Sequence, residues 1–221
     1  ACGSSDNDSG ENAPDEPTTN SQLIEANPEN AKTPVLTIGS KNFTEQIVLG
    51  EIYAQGLEAA GYRVKTDLNL GSETVALAAL KNGEISGYPE YISTALTSFF
   101  DTAPEDVPAD VDGAYEKAKQ DLEGDGIAAL PPTPFSSANA VGLLTSKAEE
   151  LDVETISDLE GKSQDLTLFG SPECRQRIDC LLGLEQNYGL EFAQFRPVDI
   201  GLRYQVLDKG QADLSIVFTT D

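Results

Sequence analysis

From residue 35 onward the apolar positions keep changing period. Val35–Ser40 (VLTIGS) is an apolar run of strand length that closes on Gly-Ser. Leu49, Ile52, Tyr53, Gly56, Leu57 and Ala60 then recur at helical spacing, with Asn42 as N-cap, Glu45 three residues on and Gly61 as the stop. Tyr62–Leu68 returns to strand character. Gly71-Ser72 opens a second helix running through Leu80, Asn82-Gly83 closes it, and Ile85–Tyr91 reads as a third strand. Alternation of this kind over 35–91 predicts a parallel α/β sheet.

A Pro- and acid-rich loop, Asp101–Asp110, leads into a helix over Val111–Glu123 and a strand over Ile127–Leu130. Pro131-Pro132-Thr133-Pro134 can extend neither helix nor sheet, and it marks a passage between two lobes. Past it the alternation restarts. The pattern predicts a strand over Ala140–Thr145, a short helix capped by Ser157 with Glu160 three residues on, and a strand over Leu166–Phe169. A helix ending at Tyr188-Gly189, a strand over Phe192–Pro197, a helix over Leu202–Lys209 and a strand over Asp213–Phe218 follow. Tyr53, Tyr115, Tyr188 and Tyr204 fall inside helical patterns and read as packing residues. The sequence stops directly after its last strand, where ligand loops follow in such sheets. The expectation is a C-terminal truncation that removes the returning part of the first lobe.

Residues 1–34 carry no such pattern. Rich in Ser, Pro and Asn, they hold seven acids against Lys32 alone, the composition of a disordered tether. The expected organisation is therefore a tether over 1–34, lobe I over 35–134 and lobe II over 135–221. Cys2, preceded by Ala and followed by Gly-Ser-Ser, matches the junction at which bacterial lipoprotein leaders are cut, which makes it a lipidation candidate; the alternative is a chance free thiol. No apolar run has the length of a membrane span, so attachment is expected through that lipid only.

Composition narrows the chemistry. The net charge is −24, from 14 Lys+Arg and 38 Asp+Glu, which excludes recognition of nucleic-acid backbones. The chain has no His, so it lacks Ser-His and Cys-His catalytic pairs and any His-ligated zinc. Neither G-x-S-x-G, G-x-x-x-x-G-K-[ST] nor G-x-G-x-x-G occurs. No catalytic residue, metal or cofactor is expected. Cys174 and Cys180, in PECRQRIDC, are either a disulfide across an irregular loop or two reduced structural thiols. A bridge agrees with an oxidising, extracytoplasmic location, and a regular helix between the two is incompatible with it.

A binding module fits better than an enzyme: two α/β lobes on a tether can close over a small polar solute. The candidate loops are Ser40–Asn42, Gly71–Thr74, Tyr88–Tyr91 with Thr94, Ser136–Asn139, Arg177 and Phe218–Thr220. Lys41 and Arg177 are cations suited to a carboxylate, unless Arg177 only pairs with Glu173 or Asp179 at the surface. Tyr91 and Phe218 offer ring faces to a cation. Tyr88 reads as packing.

IGSKNFTEQIVLGEIYAQGLEAAGY, GSETVALAALKNGEISGYPEYISTAL, GSPECRQRIDCLLGLEQNYGL and ADLSIVFTTD together resemble the glycine betaine/carnitine/choline substrate-binding proteins of osmoprotectant ABC transporters. The resemblance spans nearly all of Val35–Asp221. It implies a type II periplasmic-binding-protein fold, a quaternary ammonium or zwitterionic solute held in an interlobe cleft, and delivery to an ABC permease with a cytoplasmic ATPase. Lys41, Tyr91, Thr94, Arg177 and Phe218 stand on ligand positions of that family, with Phe218 where a cage tyrosine often stands. Asn139 lies where many members carry an aromatic. The expected protein is a monomeric, lipid-anchored, extracytoplasmic receptor. The alternatives are the same fold holding a non-quaternary zwitterion or carboxylate, or a non-transport sensor lipoprotein.

Overall fold

Two sheets, one on each side of the proline passage, organise the computed structural model, which describes residues 24–221. Cys2 and the proposed lipid attachment lie outside the described residues. In the first sheet β1 (Leu36–Gly39) and β2 (Val64–Asp67) run parallel, in register from Leu36↔Val64 to Gly39↔Asp67. Helix α1 (Thr44–Ala59) connects them, and Gly61 ends it at φ +96°. The helix lies close on the sheet because Gly50 has no side chain. A Cβ there would sit 2.8 Å from Leu68 Cδ2 and 3.2 Å from the Gly39 carbonyl. Helix α2 (Glu73–Lys81) follows with Ser72 at its N-cap, then α3 (Ile92–Thr94), which widens into a π turn over Ala95–Phe99, then α4 (Val111–Gly124), capped by Asp110.

The second sheet has the order β3-β6-β4-β5, from β3 (Asn139–Gly142), β4 (Thr167–Gly170), β5 (Gln194–Pro197) and β6 (Leu214–Phe218). β4 pairs parallel with β5 and β6, whereas β3 is antiparallel to β6. The inner strands are buried on both faces, as strands covered from both sides must be: the register pair Leu168 and Leu214 is fully buried on one face, and Phe169 and Ser215 are buried on the other. Helices α5 (Thr145–Leu151), α6 (Leu181–Tyr188) and α7 (Arg203–Asp208) complete this half. Leu159, Leu166, Leu168, Leu181, Leu184, Leu190, Leu214 and Ile216 form one core cluster that also takes in Cys174 and Cys180. These two cysteines are bridged, with Cα atoms 5.1 Å apart, and the chain between them is a 3-10 turn rather than an α-helix.

The structure corrects several local expectations. The third strand, Ile85–Tyr91, shrinks to a single bridge between Ile38 and Gly87, held by the Ser86 N–H on Thr37 O and the Gly39 N–H on Gly87 O. Pro89 ends any further pairing, because it has no N–H to donate. Ile127–Leu130 forms no strand. The residue in the α1 N-cap position is Phe43, without a side-chain cap, since the Asn42 amide is spent on Asp199. The Ser157 cap is displaced by a reciprocal one: Thr155 and Asp158 close a capping box on the turn Ile156–Leu159. The strand expected over Ala140–Thr145 stops at Gly142 so that α5 can begin at Thr145. Tyr53, Tyr188 and Tyr204 are exposed rather than packed. Asn27–Thr33, assigned to the tether, is docked: the Asn27 N–H and the Asn30 side chain both donate to the Ala60 carbonyl, and Arg63 donates to Thr33 O.

Candidate functional site

The loop leaving β1 is fixed by its own polar groups. Ser40 is fully buried and its hydroxyl accepts from the Asn69 N–H at 2.9 Å. The Lys41 N–H donates to Gln46 Oε1 at 3.1 Å, which ties the loop to the first turn of α1. These bonds aim the Lys41 side chain inward, where only 4% of the residue is exposed. Its ammonium pairs with Glu90 Oε1. Glu90 is a hub: it also accepts from the Tyr91 N–H at 2.8 Å and from the Tyr88 hydroxyl at 2.8 Å. Tyr88 thus carries a polar role beyond packing. Burial, then the Glu90 carboxylate, pushes the Tyr88 phenol well above its ordinary range.

Two rings face this ammonium, and a third packs against one of them. Lys41 Nζ lies 4.6 Å from the Tyr91 ring centroid and 5.9 Å from that of Phe43. Phe43 stacks on Tyr91 at 6.1 Å and meets Phe218, from the end of β6, at 4.9 Å. Behind Phe218, Arg203 lies 5.1 Å from its ring and is held by the Asp221 carboxylate. The aromatic faces, with Glu90 beside them, form a seat for a positive charge.

Arg177 stands on the disulfide-closed turn. Its Nε and NH2 bind Asp179 at 2.8 and 2.6 Å, NH2 also reaches Thr94 Oγ1 at 3.2 Å, and NH1 lies 3.5 Å from Glu73. Burial opposes its charge, but the Asp179, Glu73 and Glu90 carboxylates outweigh that and raise its pKa. This is not the surface pair of the alternative reading, because Thr94 and Glu73 belong to the other sheet's half. Asn139 does not join the rings; its amide donates to the Asp179 carbonyl at 2.7 Å and so steadies the partner of Arg177.

Lys41, Tyr91, Thr94, Arg177 and Phe218 therefore converge, with Asn139 one step removed. Sequence reading missed Phe43, Glu45 and Gln46, although all three sit in the same GSKNFTEQ stretch as Lys41. Phe43 was absorbed into a helix-capping pattern, and Glu90 entered only as a member of YPEY. The two halves meet here through Arg177 with Glu73 and Thr94, Asn42 with Asp199 at 3.2 Å, the Thr220 hydroxyl with Glu45, and Phe43 with Phe218. Among the described residues no group of three or more His, Cys, Asp or Glu could hold a metal ion. No helix among them is long and apolar enough to cross a membrane.

A mixed α/β fold whose cationic and aromatic side chains meet between two sheets belongs to a class of solute-binding proteins, and the family comparison is specific. The chain belongs to the family described as the substrate binding domain of ABC-type glycine betaine transport systems, whose model matches residues 34–221. It is 35% identical over 202 residues to the glycine-betaine-binding protein of Pseudomonas aeruginosa, covering 86% of this chain and 64% of that protein. It is 30% identical over 171 residues to the glycine betaine-binding protein YehZ of Escherichia coli, covering 76% of this chain and 55% of that one. The chain thus spans less than two thirds of the length of these curated relatives. A solved glycine betaine/carnitine/choline ABC transporter structure superposes with a TM-score of 0.61 at 25% identity, over 84% of this chain and 69% of its own.

Proposed function

We propose that this chain is the solute-capturing part of an ABC importer, holding a betaine- or choline-type quaternary ammonium compound between its two halves. It acts as a receptor and not as an enzyme. Residues 35–134 and 135–221 are its two lobes, and closure brings Arg177 and Phe218 of the second onto Lys41, Tyr91 and Thr94 of the first. Lipidation at Cys2 would hold it on the extracytoplasmic face of the membrane, where it hands its cargo to a permease driven by a cytoplasmic ATPase.

The observation that carries this reading is the seat itself: an ammonium already lies 4.6 Å from the Tyr91 ring centroid and 5.9 Å from that of Phe43, beside a carboxylate, with Phe218 packed on Phe43. A trimethylammonium group is attracted by the same ring quadrupoles and sheds water more readily than an ammonium. The Thr94 hydroxyl, which accepts from Arg177, keeps its own proton to donate to the carboxylate of a betaine. A solute that is only a carboxylate is disfavoured, because Lys41 and Arg177 are both matched by acids (Glu90, Asp179 and Glu73).

Thermal shift with glycine betaine, choline, carnitine and proline betaine tests the proposal. At a hundredfold excess over Kd a true ligand stabilises the fold by about 2.7 kcal/mol. Tyr91→Ala should abolish that shift. If none of the four raises the melting temperature, the proposal fails; if Lys41→Ala and Arg177→Ala remove a shift that Tyr91→Ala spares, the cargo is an anion.

A further inference from the structure

Two cations divide the aromatic rings between them. Lys41 Nζ lies over Tyr91 and Phe43, whereas the Arg203 guanidinium lies 5.1 Å from the Phe218 ring centroid and 5.0 Å from that of Tyr204. Arg203 opens α7 and is only 3% exposed. A buried guanidinium keeps its charge, so its donors must be matched. Here Nε donates to Asp221 Oδ2 at 2.9 Å, NH2 pairs with Asp221 Oδ1, and NH1 donates to the Ile200 carbonyl at 2.8 Å. Two bonds to one carboxylate fix the plane of the guanidinium as well as its place.

The same carboxylate holds the backbone of the ring it serves. Asp221 Oδ2 accepts from the Phe218 N–H at 2.9 Å, and the Asp221 N–H donates to the Phe218 carbonyl at 3.1 Å. The next residue pins this turn to the passage entering β3. The Thr219 N–H donates to Ala138 O at 2.9 Å, and its hydroxyl accepts from the Ala138 N–H at 3.0 Å. Phe218 is thus anchored on both sides of its Cα, with the guanidinium against its ring and Phe43 of the other half 4.9 Å away.

A ring that already bears a buried cation is a poor face for a second one, because the incoming charge meets the guanidinium as well as the ring quadrupole. Its apolar area is unaffected. From this arrangement we propose that Arg203, locked by Asp221, is a positioning residue. It sets Phe218 against Phe43 as an apolar wall and leaves recognition of the cargo's charge to Tyr91 and Phe43. The effect on cargo rests on the function proposed above; the coupling of Arg203 to Phe218 does not.

Carbon isosteres separate charge from shape. The chain is titrated with glycine betaine against tert-butylacetate, and with choline against 3,3-dimethylbutan-1-ol, each pair differing by a carbon in place of the quaternary nitrogen. The unaltered chain should prefer the cation about tenfold or more. Phe218→Leu should weaken both members of a pair alike and leave the preference within about twofold. Arg203→Gln should weaken the cation by a similar factor and add nothing further in the Phe218→Leu background, and Arg203→Lys should recover part of the loss. Where Arg203→Gln does not fold, Asp221→Asn takes its place. Urea midpoints of the two single variants and the double supply a readout without solute, and their shifts should not add. The proposal is overturned if the unaltered chain binds a cation and its isostere alike, or if Phe218→Leu brings the preference toward one. Unaltered affinity in Arg203→Gln, or strictly additive effects on affinity or midpoint, overturn it equally. If no quaternary solute binds, the proposed function fails and the urea midpoints decide the coupling alone: additive shifts refute it and non-additive shifts uphold it.

Discussion

The two halves of the molecule are built on opposite terms. The half containing β3–β6 buries a leucine-rich cluster around β4 and β6 and seals it with a disulfide. The half containing β1 and β2 has a narrow sheet, and its buried apolar residues are mostly alanines: Ala54, Ala76, Ala79, Ala95, Ala114 and Ala118, with Ile38, Phe43, Ile85 and Leu96. Buried polar side chains lean the other way, with Thr37, Ser40, Lys41, Gln46 and Thr94 in the first half against Ser163, Arg203 and Ser215 in the second. A small, polar interior is expensive to keep, so the first half contributes chemistry and the second contributes stiffness. Arg177 and Phe218, with Asp199 and Thr220, are points at which the stiff half reaches the chemistry.

The largest expected effect is on the stiff half. Leu168→Ala, at a fully buried position in β4, should cost about 2–5 kcal/mol in urea unfolding, while Leu207→Ile should cost under about 1.5. If Leu168→Ala costs less than 1, that half does not carry the core assigned to it. Next comes the buried pair of the polar half. Lys41→Met leaves Glu90 without its cation in a site where the two side chains are only 5% and 16% exposed, and a loss of about 3 kcal/mol is expected. The double change Lys41→Met with Glu90→Gln should recover part of it; a double mutant as unstable as the sum of the singles would show that the pair is not coupled.

Replacing both Cys174 and Cys180 with Ser should cost about 2 kcal/mol, the chain-entropy value for a loop this short. Ligand affinity should fall as well, because Arg177 sits inside the loop; unaltered affinity would mean that Asp179 and Asn139 alone hold it. The smallest expected effect is acidic. The Asp221 carboxyl is raised by burial but lowered further by the Arg203 guanidinium and the Phe218 N–H, so its folded pKa lies below the usual 3.8. Its contribution is present above that value and lost as pH falls through the folded pKa. Wild-type melting temperature should therefore drop more steeply below about pH 4 than that of Asp221→Asn.

Most strands and helices were legible in the sequence by their period, β1, α1, β2, α2, α4, β4, α6, β5, α7 and β6 among them, although β2 and β5 are largely exposed and α1 buries Gln46, Gly50 and Ala54 rather than the stripe through Ile52 and Tyr53. What failed were segments decided by partners far away in sequence. Ile85–Tyr91 has strand composition, but only Ser86 and Gly87 find a neighbour. Leu143 and Leu144 prolong the apolar run of β3, yet Leu144 is already the N-cap residue of α5. The site was legible where one residue type carries the chemistry, as with Lys41, Arg177 and Tyr91. Phe43 and Gln46 were hidden because in sequence they look like ordinary helix-start residues, and Glu90 because acids are so common in this chain. The contacts between the halves, such as Thr220 on Glu45, depend on how the lobes meet, and no local pattern encodes that.

The seam between the halves responds to salt unevenly. Its link from Arg177 to Glu73 is ionic, and in concentrated salt the screening length contracts from about 8 Å toward 3 Å. Its other links are a hydroxyl on a carboxylate, an amide on a carboxylate and the contact of Phe43 with Phe218. Those do not depend on long-range attraction, and apolar contact strengthens as salts are excluded from the surface. Rising salinity should therefore slow the encounter more than it shortens the dwell, leaving grip intact under the conditions that thin out long-range steering.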